Sequence, residues 1–288
     1  MYWERGDQRR IYFGARNWLY ALDATTGKPV ATFGRAGPHR PAPKASRAAT
    51  RRTISIGVNT PGVFYGDLLI LGSVVPEGLP SAPGDIRAFD VNTGRREVGV
   101  STRFPHPGEL GYDTWPKDAW KYSGGANAWS GVSLDEKRGL VYAATGSTSY
   151  DFYGANRHGD NLFANSILCL QRGDRRARLA LPGREARRLG PRLPRAADPR
   201  HDHEGRQAAA TSSRRSAKNG RTYVLDRETG EPDLPDGDEL TRAGRPTCPA
   251  SRLAPTQLLP TLPPPFTRQQ FTEDLITEAH ARSRAGRC

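Results

Sequence analysis

The feature that most constrains the fold is a five-residue unit, Asp-x-x-Thr-Gly, which follows a short apolar run three times. Its copies begin at Asp23, Asp90 and Asp226, and each preceding run has the length and residue types of a β-strand. The Asp side chain can accept hydrogen bonds within the turn, and the Gly supplies the positive φ that lets the chain fold back. A repeated strand-and-turn unit predicts an all-β repeat architecture such as a β-propeller.

Two further segments have the pattern of β-hairpins. Residues 63–71 are apolar around a turn at Gly66 and Asp67, and residues 132–143 contain a polar, glycine-ended turn at 135–139. Helical periodicity is weak along the whole chain. The hairpins and the repeats together favour a protein made of short antiparallel strands.

The net charge of +13 is concentrated in two stretches. Residues 35–52 carry six Lys and Arg and no acidic residue, and residues 171–217 carry thirteen Arg against five acidic residues. Neither stretch contains Val, Ile, Phe, Tyr, Trp or Met, so neither can bury enough apolar surface to offset the entropy of folding. A fourth Asp-x-x-Thr-Gly unit is expected directly after the strand at 166–170. The second basic stretch begins there instead.

Three interpretations of these stretches stay open. They are codons read out of frame, disordered linkers, or an arginine-rich arm for nucleic acid; the absence of interleaved aromatic residues makes nucleic acid an unlikely partner. We expect propeller blades in residues 1–170 with an irregular segment at 35–52. We expect 171–217 to be disordered or out of frame, and 218–288 to form a partial blade and an irregular tail.

Other classes of protein are excluded by simple counts. Three scattered cysteines are too few for a disulfide framework. No apolar run approaches the roughly 18 residues of a membrane span, and the first residues lack the layout of an export signal.

The central part of the chain resembles a known family. The segment Pro-His-Pro-Gly-Glu-Leu-Gly-Tyr-Asp-Thr-Trp-Pro-Lys-Asp-Ala-Trp-Lys at 105–121, followed by Gly-Gly-Ala-Asn-Ala-Trp at 124–129, is similar to the quinoprotein dehydrogenases that use pyrroloquinoline quinone (PQQ), nearest their glucose dehydrogenase-like branch. Thr-Gly-Ser at 145–147 and Lys-Asn-Gly at 218–220 extend the match. The resemblance implies an eight-bladed propeller that holds PQQ and Ca²⁺, of which this chain, truncated at both ends, supplies about half.

The resemblance also implies which residues bind the cofactor. PQQ is a flat quinone with three carboxylates, so its site needs an aromatic ring, cations and a metal ion. Trp129 matches the stacking tryptophan, Lys218 matches the cation that hydrogen-bonds the quinone, and Thr60 matches a position that can contact a carboxylate. Glu77 matches a calcium ligand, and Ser147 stands where relatives place an Asn ligand.

No catalytic residue is expected in this chain. Relatives carry their catalytic Asp in a His-Asp-x-Trp-Asp segment, which should fall between residues 180 and 200, yet no Trp follows Trp129. His106, His158 and Asp160 are candidates for substrate-side loops or ordinary surface residues. The encoded chain is therefore predicted to be inactive, and whether it is an enzyme stays open.

The function implied by the resemblance is oxidation of a sugar or alcohol hydroxyl, with electrons passed to a respiratory quinone or cytochrome. Relatives work in the periplasm. The alternative is a non-catalytic propeller of similar repeats that serves as a scaffold for protein assembly.

Overall fold

The computed structural model describes residues 1–34, 56–97, 104–151 and 153–171, with shorter pieces at 177–182, 212–216, 220–227, 236–239, 257–260, 262–270, 272 and 275. Within these residues the regular structure is antiparallel sheet. The two helical turns are short 3-10 segments, Tyr112–Thr114 and Ala119–Lys121. The predicted all-β class is confirmed.

Three sheets follow one another along the chain, each a meander in which consecutive strands pair. The first contains β1 (Tyr2–Arg5), β2 (Gln8–Ala15) and β3 (Trp18–Asp23). The second contains β4 (Val63–Tyr65), β5 (Leu68–Leu71) and β6 (Arg87–Asp90). The third contains β7 (Val132–Asp135), β8 (Leu140–Ala144), β9 (Ser166–Gln171) and β10 (Ala177–Pro182).

Two strand pairs lie further along the chain. One joins β11 (Ser212–Ser216) to β12 (Thr222–Asp226), and the other joins β13 (Asp236–Glu239) to β14 (Gln257–Pro260). Both hairpins predicted from the sequence are present as β4–β5 and β7–β8.

Two of the three Asp-x-x-Thr-Gly turns, those at Asp23 and Asp90, have the predicted hydrogen bonds, and the end of the third lies outside the described residues. One carboxylate oxygen of Asp90 accepts from the backbone N–H groups of Asn92 (3.1 Å) and Thr93 (2.7 Å) and from the Thr93 hydroxyl (2.7 Å). Asp23 accepts the same three bonds in its own turn. Gly94 closes the turn with φ +68°, a conformation that glycine adopts without steric cost.

The sheets pack face to face in chain order. The core between the first two sheets is formed by Trp3, Tyr12, Leu19, Ala21, Phe33, Val58, Leu69, Leu71, Phe89 and Val91. The core between the second and third sheets is formed by Ile70, Ile86, Ala88, Ala128, Val132, Val141, Ala143, Leu168 and Leu170. Ala144 and Ile167 of the third sheet pack on Tyr223 and Leu225 of β12. Successive packed sheets of this kind are propeller blades.

A buried ion pair joins the third sheet to the end of β12. Arg227 donates to Asp135 at 2.9 Å, and both side chains are almost completely excluded from solvent. Arg138 also contacts Asp135, at 3.3 Å, and the Tyr142 hydroxyl donates to the Arg227 carbonyl. Burial alone would raise the pKa of Asp135, but the hydrogen bonds and positive charges of Arg227 and Arg138 outweigh it and hold the pKa below its usual value.

Most of the two basic stretches lies outside the described residues. Strands β10 and β11 fall within 171–217 and pair with β9 and β12, respectively. Segment 35–52 is outside the described part of the chain altogether. The out-of-frame and linker interpretations of these stretches therefore stay predictions.

Gly94→Ala should destabilise the protein more than Gly27→Ala. Both glycines have φ near +70°, so both substitutions strain the backbone by about 1 kcal/mol. A Cβ at Gly94 would also lie 3.1 Å from the Phe33 ring, whereas a Cβ at Gly27 would meet nothing within 4 Å. Urea unfolding of the two variants measures the difference. Equal losses of unfolding free energy would show that Phe33 is not packed on this turn.

Asp135→Asn should lower the free energy of unfolding at neutral pH by about 3 kcal/mol, because it leaves the Arg227 guanidinium buried without a counter-charge. A carboxylate with a lowered pKa stabilises the fold above its unfolded pKa, and the contribution disappears as the pH falls through the folded value. The difference between wild type and variant should therefore be constant from about pH 5 to pH 7 and shrink below about pH 4. Urea titrations over this range measure it.

Asp118→Asn is the matched control, because Asp118 pairs with Lys121 at 2.9 Å in an exposed position. Exposed pairs of this kind contribute little to stability. A similar loss in both variants would contradict the role given to the buried pair.

Candidate functional site

Three connecting segments meet at the same end of the second and third sheets. We call residues 72–85, 124–129 and 145–149 the inner loops. They are joined by backbone hydrogen bonds, among them Gly125 to Ala82 (3.0 Å), Ala126 to Ser147 (2.9 Å) and Ser149 to Gly124 (3.0 Å). Because two of the loops belong to different sheets, face-to-face packing of the sheets is what brings them together. Trp129, Glu77 and Ser147, predicted from the resemblance, all lie in these loops.

Trp129 is held against the backbone of Gly146. A Cβ placed on Gly146 would lie 3.0 Å from the indole Nε1 and 3.2 Å from Cδ1, so a larger residue at this position would require the indole to move. Upstream in the same loop, the Asn127 side chain donates to the Ser73 carbonyl at 2.7 Å. The Trp129 side chain is only partly buried. A supported and partly exposed indole can stack on a flat ligand.

Glu77 and Ser147 lie in adjacent inner loops. Glu77 is exposed, and the carbonyl of the preceding residue, Pro76, accepts a hydrogen bond from the Ser149 hydroxyl at 2.9 Å. The Ser147 hydroxyl donates to the Asn165 side-chain oxygen at 3.1 Å, which leaves its own lone pairs able to accept. A carboxylate and a hydroxyl of neighbouring loops are hard oxygen donors of the type that Ca²⁺ takes.

Three hydroxyl groups at this end of the sheets are buried and have no hydrogen-bond partner among the described residues. They belong to Thr60, Ser73 and Thr148. The segment before Thr60 is tied to the inner loops, because Gly57 and Val74 exchange two backbone hydrogen bonds of 2.7 and 3.0 Å. A buried hydroxyl without a partner carries a desolvation cost that a polar ligand would remove. Thr60 thus fits the predicted contact with a carboxylated cofactor.

Residues missed by the sequence analysis are those that support the inner loops. Asn127, Ser149 and Gly146 hold the segments that carry Glu77, Trp129 and Ser147 in place. The glycine and the asparagine belong to motifs visible in the sequence, but nothing local indicates which side chain or carbonyl each of them contacts.

One predicted position, Lys218, lies outside the described residues. Gly220, just after Lys218, is described and its carbonyl accepts from the Phe266 backbone N–H at 2.9 Å. The cationic role of Lys218 stays a prediction.

The candidate substrate-side residues lie in two long loops that pack on each other. Residues 104–122 and 150–165 are linked by hydrogen bonds from the Asn161 and Leu162 backbones to Thr114, each 2.9 Å. His106 is stacked on the Trp120 ring, with centroids 4.2 Å apart, and its backbone N–H donates to Glu109 at 2.8 Å. His158 is partly buried and Asp160 is exposed. Contact of any of the three with a substrate stays a prediction.

A self-contained metal centre is not found in the described part of the chain, where no group of three or more His, Cys, Asp and Glu side chains converges. A cation at Glu77 and Ser147 would therefore need oxygens from a bound cofactor or from other residues to fill the six to eight positions that Ca²⁺ prefers.

The chain is similar in sequence to one family of proteins. The family model for the β-propeller domain of PQQ-dependent glucose, ethanol and alcohol dehydrogenases matches residues 1–176. The chain belongs to this family. All three inner loops lie within the matched residues.

Individual relatives are quinone-linked dehydrogenases. The quinate/shikimate dehydrogenase (quinone) of Acinetobacter baylyi is 28% identical over 243 residues, which cover 78% of this chain and 27% of that protein. The dehydrogenase subunit of the alcohol dehydrogenase (quinone) of Gluconobacter oxydans is 31% identical over 180 residues, 56% of this chain and 22% of the subunit. The chain thus spans about a quarter of the length of these relatives.

Solved structures show the same fold. The quinohemoprotein alcohol dehydrogenase of Comamonas testosteroni superposes with a TM-score of 0.61 at 21% identity, covering 78% of this chain and 33% of that one. A europium-containing methanol dehydrogenase superposes with a TM-score of 0.57 at 21% identity, covering 84% of this chain and 43% of that one.

Across the residues that the structure describes, no helix has the length and apolarity needed to cross a membrane.

Gly146→Ala should displace the Trp129 indole, because the new Cβ would lie within 3.0 Å of Nε1. The expected result is a shift in tryptophan emission that is absent when the same substitution is made in a Trp129→Phe background. Gly78→Ala, in a neighbouring inner loop, is the control, since its Cβ would meet nothing within 4 Å. An unchanged emission spectrum in Gly146→Ala would contradict the packing of Trp129 on Gly146.

Proposed function

We propose that this chain forms the PQQ-binding part of a quinoprotein dehydrogenase that oxidises a sugar or alcohol hydroxyl. Membership of the family and the substrates named for its relatives support this class of reaction. The observation that carries the proposal is the placement of Trp129, Glu77 and Ser147 in three hydrogen-bonded inner loops. Electrons would pass to a respiratory quinone or a cytochrome, and the reaction would take place in the periplasm.

Each site residue has a role that follows from its chemistry. Trp129 stacks on the flat ring system, and the buried Thr60 hydroxyl donates to a carboxylate of the cofactor. Lys218 supplies a positive charge near the quinone. Glu77 and Ser147 would provide hard oxygen ligands to a Ca²⁺ ion. Bound PQQ would supply a two-electron acceptor for the hydride of the substrate.

The chain as encoded binds the cofactor but lacks a general base for turnover. The family places its catalytic Asp in a His-Asp-x-Trp-Asp segment, and no Trp follows Trp129 in this sequence. A positioned base that takes the hydroxyl proton typically raises the rate by 10²- to 10⁴-fold. Without it, we expect the rate of substrate oxidation to fall by that factor.

Binding of PQQ tests the proposal directly. In the presence of Ca²⁺, PQQ should quench tryptophan fluorescence saturably, and Trp129→Ala should weaken binding at least about fivefold, since stacking on an aromatic ring contributes about 1–3 kcal/mol. Trp18→Ala is the matched control, because Trp18 lies on the exposed face of the first sheet. Absence of saturable quenching in the wild-type protein would overturn the proposed function.

Turnover separates cofactor binding from catalysis. With PQQ and Ca²⁺ bound, reduction of an artificial electron acceptor with glucose or ethanol as substrate should stay at the level of the Trp129→Ala variant. Turnover above that level would show that another residue of this chain acts as the base, and would overturn the prediction of an inactive chain.

A further inference from the structure

We infer that Ser81 and Ser149 are positioning residues that hold Glu77 in place for the metal ion of the cofactor; this inference rests on the proposed function. Both hydroxyl groups donate to one acceptor, the carbonyl of Pro76, at 2.7 Å from Ser81 and 2.9 Å from Ser149. Pro76 directly precedes Glu77. The pair of bonds thus fixes the backbone from which the Glu77 side chain extends.

The two donors come from different parts of the fold. Ser81 lies five residues after Pro76 and closes the loop on itself, whereas Ser149 lies 73 residues further along the chain in the third sheet's inner loop. Both serines are buried, with 8% and 2% of their surface exposed. Hydrogen bonds shielded from water in this way restrain the loop more strongly than exposed ones.

Ser149 connects all three inner loops. Its backbone N–H donates to the Gly124 carbonyl at 3.0 Å, in the loop that leads to Trp129. Its hydroxyl binds the Glu77 loop, and it stands two residues after Ser147. Ser149 therefore contributes to the relative positions of the two proposed oxygen ligands and the stacking tryptophan, together with the other backbone bonds between these loops.

Such a restraint matters because Glu77 itself is exposed, and the residue after it is Gly78. Without the two serine bonds, binding of the ion would have to order this loop. The entropic cost of that ordering would reduce the free energy of binding. Residues that orient metal ligands typically change metal affinity when they are removed, even though they do not touch the metal.

The test compares Ser81→Ala, Ser149→Ala and the double variant with wild type by calorimetric titration of Ca²⁺ at saturating PQQ. Ser133→Ala is the control, because the Ser133 hydroxyl is buried in β7 with no partner among the described residues. Each single variant should raise the Kd for Ca²⁺ about fivefold, the loss expected for one hydrogen bond. The double variant should raise it further, and Ser133→Ala should not change it.

Two further measurements distinguish positioning from general stability. Ser149→Thr keeps a hydroxyl and should recover most of the lost affinity, and Asp135→Asn, which lowers the free energy of unfolding at a site outside the inner loops, should leave the affinity for Ca²⁺ unchanged. If Ser149→Ala does not fold, Ser81→Ala acts on the same carbonyl and answers the same question. Wild-type affinity for Ca²⁺ in Ser81→Ala and the double variant would overturn the inference and leave the proposed function intact, whereas absence of binding to wild type would overturn both.

Discussion

The structure depends on the turn that ends the second sheet, because the chain leaving the first sheet packs on it. In the second sheet, one carboxylate oxygen of Asp90 satisfies two backbone N–H groups and a hydroxyl, and Gly94 completes the turn with a positive φ. The chain leaving the first sheet then docks on this turn. Gly34 donates to the Thr93 carbonyl, and the Phe33 ring packs on Gly94. The turn therefore ends the second sheet and also binds the segment that leaves the first sheet. The hydrogen bonds within the turn thus contribute to the packing of one sheet on the next.

Stacking of the sheets determines the site. The inner loops of the second and third sheets can exchange hydrogen bonds only because the Ile70 face of one sheet is buried against the Val141 face of the other. Within the loops, Val75 and Ala82 pack on Ile56, and backbone hydrogen bonds and the side chains of serine and asparagine hold the segments together. Candidate binding groups on loops supported by packed sheets fit the general observation that binding groups lie on loops held by a rigid scaffold.

Local features could be predicted from the sequence, whereas contacts across sheets could not. The Asp23 and Asp90 turns follow from side-chain chemistry within five residues, and the two hairpins from short apolar patterns with a glycine turn. Trp129 is a candidate because the motif that contains it is specific, and its role stays a prediction. The bond from Ser149 to Pro76 joins residues 73 apart, and the ion pair between Asp135 and Arg227 joins residues 92 apart. Both contacts depend on how the sheets pack on each other, and no periodicity in the sequence predicts that packing.

The register of the repeats explains the exposed aromatic face of the first sheet. Counting back from the Asp of each unit, Leu22 corresponds to Phe89 and to Leu225, and Tyr20 corresponds to Tyr223. Phe89, Tyr223 and Leu225 are all buried against the sheet that precedes them. On the first sheet the same face carries Phe13 stacked on Tyr20, with centroids 5.1 Å apart, beside the exposed Tyr2, Ile11 and Trp18. Contiguous aromatic surface of this kind is rare on a solvent-facing sheet, and here it has the residue pattern of a blade-packing face. The first sheet thus carries, on this face, the same kind of apolar residues that the later sheets bury against the sheet before them. Packing of each sheet on its neighbour is the property that defines a propeller.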